Sequence, residues 1–84
     1  MAQVIMYSTA YCPYCTKARE LLNRKKITFT DIRVDLQPEL RDEMITKSGR
    51  KTVPQIFING QAIGGCDDLY ALEDQGKLNQ LLKG

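Results

Sequence analysis

A strand–helix–strand order at the start of the chain constrains its architecture more than any other feature. Val4 to Tyr7 is a short β-prone run closed by Ser8 and Thr9, and it reads as a buried strand. From Pro13 to about Lys25 the spacing turns helical: Ala18, Leu21 and Leu22 form one apolar stripe, and Cys15 stands three residues before Ala18. Pro13 suits the first turn of a helix, where its missing N–H is not needed. Phe29, Ile32 and Val34 then mark a second β-prone run. Two such strands joined through a helix form a parallel pair with a right-handed crossover.

The rest of the chain extends this unit. Pro38 opens a second predicted helix in which Leu40, Met44 and Ile45 repeat at helical spacing, and Gly49 follows as its C-cap. Gln55 to Ile58 reads as a strand, and Asn59-Gly60 is a two-residue hairpin signal, so Gln61 to Ile63 should pair back antiparallel. Gly64-Gly65 interrupts the chain, and Asp67 or Asp68 would cap a helix containing Leu69 and Leu72. Beyond Gly76, Leu78, Leu81 and Leu82 suggest a terminal helix. The predicted order is β-α-β-α-β-β-α with a terminal helical turn: an α/β fold with a mixed sheet and helices on both faces. With 84 residues, residues 1–84 are expected to form one domain.

Charge and composition narrow the function classes. A net charge of +2, with basic residues scattered among acidic ones, does not point to nucleic acid. No apolar run approaches the roughly 20 residues that span a membrane. Met1 to Tyr7 lacks a charged start and a long apolar stretch, so no signal peptide is expected and a cytoplasmic location is. The three cysteines are an odd number, which argues against a structural disulfide framework. In a reducing compartment a close cysteine pair is more often catalytic or metal-binding.

That pair is Cys12-Pro13-Tyr14-Cys15, set between the end of a strand and the start of a helix. The first amides of a helix lack intrahelical partners and carry about half a positive charge. A sulfur at Cys12 sits in that field, which favours the thiolate, the nucleophile of disulfide exchange. Lys17 and Arg19, in the first two turns, add to this field if their side chains point that way. Cys15 returns to nearly the same helix face, where its thiol can donate to Cys12 and then attack a mixed disulfide that Cys12 has formed. Cys12 is therefore read as attacking and Cys15 as resolving and more buried. The competing reading is half of a zinc site, but structural zinc takes four Cys or His ligands. This chain has no histidine and only Cys66 besides the pair.

Two further segments carry weaker signals. Thr52-Val53-Pro54 precedes the third strand. A cis bond before Pro54 would leave the Val53 N–H and C=O free for an extended peptide-like substrate, whereas a trans proline would simply start an edge strand. In Gly64-Gly65-Cys66-Asp67-Asp68, glycine allows close backbone approach. Helix-start amides with an Asp carboxylate match the two charges of an α-amino acid head; an ordinary turn with an Asp N-cap is the alternative. Cys66 reads as a small buried hydrophobe. Tyr14 flanks a groove or is simply exposed. Arg41, Arg50 and Lys51 are candidates for a carboxylate, against a solvated role. Arg24-Lys25-Lys26 reads as a solvated helix end, and Tyr7 and Tyr11 as packing residues.

In order and spacing, Cys12-Pro13-Tyr14-Cys15, Thr52-Val53-Pro54 and Gly64-Gly65-Cys66-Asp67-Asp68 resemble the classical dithiol glutaredoxins, and the likeness covers essentially the whole chain. The resemblance implies a thioredoxin-like fold with a four-stranded mixed sheet, no tightly bound cofactor, and glutathione as the electron donor. It implies that Cys12 forms the mixed disulfide with glutathione, that Tyr14 lines the groove beside Thr52, that Val53 pairs with the cysteinyl backbone, and that Pro54 is cis. Gly65, Cys66 and Asp67 would hold the γ-glutamyl head, and Arg41 would lie near the glycine carboxylate. Many relatives carry a lysine three residues before the first cysteine, where this chain has Thr9; Arg41, or second to it Lys51, is then expected to compensate. The reaction implied is reduction of disulfides and removal of glutathione from glutathionylated proteins, by a monomer. Two other readings stay open. One is a dimer bridging an iron–sulfur cluster with Cys12 and two glutathiones, against which Pro13 argues by the same resemblance. The other is a redoxin served by a flavin reductase.

Overall fold

The alternation of side chains along two strands explains how one sheet carries helices on both faces. The computed structural model describes residues 3–83; Met1 and Ala2, part of the N-terminal stretch read above, and Gly84 lie outside them. The elements are β1 (Val4–Ser8), α1 (Pro13–Arg24), β2 (Thr30–Arg33), α2 (Pro38–Ser48), β3 (Gln55–Ile58), β4 (Gln61–Gly64), α3 (Cys66–Asp74) and α4 (Leu78–Lys83). The four-stranded sheet has the order β2-β1-β3-β4. β1 runs parallel to β2 and antiparallel to β3, and β3 pairs antiparallel with β4. This is the thioredoxin-like architecture with a mixed sheet.

Val4 and Met6 of β1 and Ile56 and Ile58 of β3 point to one face, where they pack with Ala18, Leu21 and Leu22 of α1, Leu69 of α3 and Leu78 of α4. Tyr7 and Phe57 occupy the alternate positions and meet Val34 and Met44 on the α2 side. The period of two along a strand enforces this division. Leu22 is fully buried at the centre of the larger cluster. Leu22→Ala is expected to lower unfolding stability by about 3 kcal/mol, read from urea denaturation; an unchanged midpoint would contradict the packing described.

Several boundaries follow from local chemistry. Pro13 and Pro38 sit in the first turns of their helices. Gly49 closes α2 in the left-handed region at φ 75°. Asn59 and Gly60 have φ of 53° and 81°, as a two-residue hairpin with right-handed strand twist requires.

The structure departs from the expectations in four places. The helix after the glycine pair starts at Cys66 with Gly65 as N-cap, so neither Asp67 nor Asp68 is the cap residue. Asp68 instead reaches back to accept the Gly65 N–H at 2.9 Å, half of a capping box that glycine has no side chain to reciprocate. The strand before it extends through Gly64. Lys25 and Arg24 are not merely solvated: Lys25 pairs with Glu73 at 2.8 Å and Arg24 donates to the Tyr70 hydroxyl at 3.4 Å, tying α1 to α3. Tyr11 is 79% exposed and packs little, whereas Tyr7 is buried edge-on to Phe57 as expected.

Candidate active site

Cys12 is the N-cap of α1. Its backbone is extended, and its sulfur accepts the Cys15 N–H at 3.3 Å. The cap position, which usually takes Ser, Thr, Asp or Asn, here holds a sulfur facing the unpaired amides of the first turn. Cys12 is half-buried, while Cys15, one turn further on, is fully buried. The Cys12 thiol points across the end of the sheet and donates to the Val53 carbonyl at 3.6 Å.

Burial, the largest influence, pushes the Cys15 thiol up to about 12, with Cys12 acting in the same direction; the Thr9 amide and Arg19 oppose it. The Tyr7 phenol is likewise raised to about 12, by burial and by its 2.7 Å hydrogen bond to Glu43. Their ordinary values are 9.0 and 10.0. The reduced folded chain therefore keeps both protons at a pH where the unfolded chain releases them, so stability falls as pH rises. This contribution is whole below pH 9 and is lost between 9 and about 12. Urea midpoints of the reduced protein should decline across that window, and Cys15→Ser should flatten the first part of the decline; a level profile to pH 11 would contradict this. Burial also raises the Cys66 thiol. At pH 7.5 a small alkylating agent should thus modify Cys12 and leave Cys15 and Cys66 unlabelled by mass spectrometry.

Beside Cys12 lies a groove of about 360 Å³ lined by Tyr14, Arg50, Thr52, Val53, Pro54, Gly65, Cys66, Asp67 and Asp68. It joins the three motifs, which are far apart in the chain. The Val53–Pro54 bond is cis. Gln55, a polar residue that is 1% exposed, holds the preceding turn by donating its side-chain amide to the Thr52 carbonyl at 2.9 Å and to the Thr52 hydroxyl at 3.1 Å. A buried amide so satisfied is a rigid anchor. On the opposite wall, the Gly65 backbone is fixed by Asp68, and Asp67 is exposed. Tyr14 is 55% exposed, with the Lys17 ammonium 5.8 Å from its ring.

The structure thus brings Tyr14, Thr52, Val53, Pro54, Gly65, Cys66 and Asp67 together, as the sequence motifs suggested. Arg41 is not among the residues lining the groove; its guanidinium donates to the Lys51 carbonyl at 3.1 Å. The cation at the groove is Arg50, which pairs with Asp68 at 3.0 Å. Arg50 was one of three candidates for a carboxylate and Asp68 one of two candidate caps, but nothing in the sequence paired them, and Gln55 read only as a strand residue. The amide of Gln55 directly after Pro54, in an otherwise apolar strand, was the one available hint. Arg19 turns away from Cys12, toward Asp31.

The chain is similar in sequence and fold to known proteins. A family model described as Glutaredoxin matches residues 4–63. The glutaredoxin of Pseudomonas aeruginosa is 54% identical over 82 residues, covering 98% of each chain. Glutaredoxin 3 of Escherichia coli strain K12 is 53% identical over 83 residues, covering 99% of this chain and 100% of its own. Among solved structures, glutaredoxin from Brucella melitensis is similar at a TM-score of 0.88 and 57% identity, over 99% of this chain and 90% of that one. The buckwheat glutaredoxin–glutathione complex is similar at a TM-score of 0.91 and 28% identity, over 98% and 77%. A cysteine capping a helix, a second one turn behind it, and likeness along nearly the whole chain agree: this chain belongs to the glutaredoxin family, the thiol–disulfide oxidoreductases.

Proposed function

We propose that the chain is a glutathione-dependent thiol–disulfide oxidoreductase, with Cys12 attacking and Cys15 resolving. The observation that carries this reading is the Cys12 sulfur, capping α1 and meeting the Val53 carbonyl at 3.6 Å beside the groove. The Cys12 thiolate attacks one sulfur of a disulfide; that S–S bond breaks, and the departing thiolate takes a proton. Helix-start amides stabilise the negative charge that spreads over the three sulfurs. Cys15 then attacks Cys12 and expels its bound thiol, or a second glutathione does so.

The groove supports glutathione as the partner. Its Val53 wall offers main chain to the cysteinyl residue. Gly65, Cys66 and Asp67 face it with a backbone and a carboxylate for the γ-glutamyl head, and Tyr14 and Thr52 complete the lining. The relative solved with glutathione has the same fold. Disulfide-bonded and glutathionylated proteins of the cytoplasm are the proposed substrates, and the monomer is the proposed working unit. No helix among the described residues is long and apolar enough to cross a membrane.

The test is turnover of a small glutathione mixed disulfide with glutathione, glutathione reductase and NADPH supplied. Glutathione-dependent NADPH consumption supports the assignment. Turnover with a flavin thioredoxin reductase and none with glutathione would overturn it.

A further inference from the structure

The two sides of Cys12 differ in chemistry. The sheet order is β2-β1-β3-β4, and Cys12 follows the end of β1. On the β3–β4 side lies the groove, walled by Val53 and Pro54 before β3 and by Gly65 to Asp68 after β4. That side carries charge, on Arg50, Asp67 and Asp68.

The β2 side is apolar, and strand pairing fixes its place. β2 runs parallel to β1 with Ser8 opposite Arg33, and the Val34 N–H donates to the Ser8 carbonyl at 2.9 Å. Both strands therefore leave the sheet at the same end. One continues into Tyr11 and Cys12. The other enters a turn in which the Leu36 N–H donates to the Arg33 carbonyl at 3.4 Å. Tyr11 is 79% exposed and Leu36 69%. The charged residues of that turn are matched to each other: Arg33 donates to Asp35 through Nε at 2.8 Å and through Nη2 at 2.6 Å.

A single exposed apolar side chain is ordinary on a folded protein. Among the described residues, however, the exposed large apolar side chains are Tyr11, Tyr14 and Leu36, and all three lie at the end of the sheet that holds the attacking sulfur. Apolar surface gathered in one place marks an interaction site. The reaction defines what occupies it. A glutathionylated protein brings two bodies to Cys12. The tripeptide, with its charged ends, matches the charged groove, and the polypeptide rests on the surface that the groove leaves free.

We infer that Tyr11 and Leu36 form a docking surface for the polypeptide half of the substrate and select an apolar residue next to its reacting cysteine. This rests on glutathione taking the groove. A tyrosine ring offers a large contact area with few rotatable bonds, so ordering it against a partner costs little. In the step concerned, the Cys12 sulfur bonds to the glutathione sulfur, and the bond from that sulfur to the substrate cysteine breaks. The electron pair leaves on the substrate sulfur, which takes a proton from water. The substrate cysteine is reduced as Cys12 is oxidised to the mixed disulfide.

The test uses two glutathionylated peptides, alike except for leucine or serine beside the modified cysteine. Each is mixed below saturation with reduced protein, and release of the peptide thiol in a single turnover is followed by acid quench and mass spectrometry. The wild-type protein is expected to react about tenfold faster with the leucine peptide. Tyr11→Ser and Leu36→Ser should each cut that preference about threefold, and the double variant should remove it. Rates on the serine peptide should stay within about twofold throughout. Equal wild-type rates on the two peptides overturn the inference. A leucine preference that survives in the double variant also overturns it, as does an equal slowing of both peptides. Both side chains are exposed, so neither serine should move the urea midpoint. If the wild-type protein attacks neither peptide, the glutathione reading itself fails, and the docking surface with it.

Discussion

Cys12→Ser is expected to lower turnover on both glutathione mixed disulfides and protein disulfides by more than about a thousandfold, because a serine hydroxyl is not ionised near neutrality and cannot replace the thiolate nucleophile. Cys15→Ser is expected to separate the two reactions. Deglutathionylation needs one cysteine, since free glutathione can resolve the Cys12 mixed disulfide, and it should continue within about threefold of wild type. Reduction of a protein disulfide is different. There the mixed disulfide joins Cys12 to a large partner, and the nearby Cys15 is the efficient resolving group; its loss should cost about a hundredfold and trap a covalent complex visible on non-reducing gels. Serine is close to cysteine in volume, so at the fully buried Cys15 position the exchange leaves no large cavity. Loss of both activities in Cys15→Ser with the fold intact would contradict the assigned roles.

The second large effect is expected at Gly64, which carries no reacting group but precedes the Gly65–Asp67 wall of the groove. Gly64 has φ +120° and is buried at the end of β4. A Cβ placed there would lie inside the Asp68 carboxylate. That carboxylate also accepts the Gly65 N–H at 2.9 Å and the Arg50 guanidinium at 3.0 Å. Gly64→Ala must therefore strain its own backbone and push Asp68 off the cap, which together should cost about 2–4 kcal/mol of stability. The Gly65–Asp67 wall of the groove moves with it, so KM for glutathione should rise more than kcat falls. Asp68→Ala removes the cap without the backbone strain and should cost about 1 kcal/mol. Urea denaturation and steady-state kinetics of the two variants check this ordering. A Gly64→Ala protein as stable as wild type would show that the turn can relax in a way the structure does not suggest.

The parts of the molecule legible beforehand are those set by a residue and its near neighbours. Pro13 beginning a helix, Gly49 ending one, and Asn59-Gly60 turning a hairpin all follow from backbone dihedral preference, which a short segment carries with it. The cysteine pair belongs to the same class: strand, cap and a spacing of one helical turn place Cys12 half-exposed and Cys15 buried before any long-range contact is considered. The alternation of Val4 and Met6 against Ile5 and Tyr7 likewise prescribes two packed faces.

Long polar side chains were not legible in this way, since their reach spans several competing partners and the choice waits on which strands and helices arrive beside them. Arg41 and Arg50 looked equivalent along the chain. Folding sends Arg41 to the Lys51 carbonyl and brings Arg50 to Asp68, which lies 18 residues away. Arg19 had its charge but not its direction until Asp31 of β2 was laid next to β1. Asp68 rather than Asp67 secures the start of α3 because the cap fell on Gly65, two residues before Asp67 and three before Asp68, which puts Asp68 at the third helical position. Local conformation follows from short-range sterics and hydrogen bonding, whereas the partner of a charged group depends on distances that exist only once the sheet is assembled.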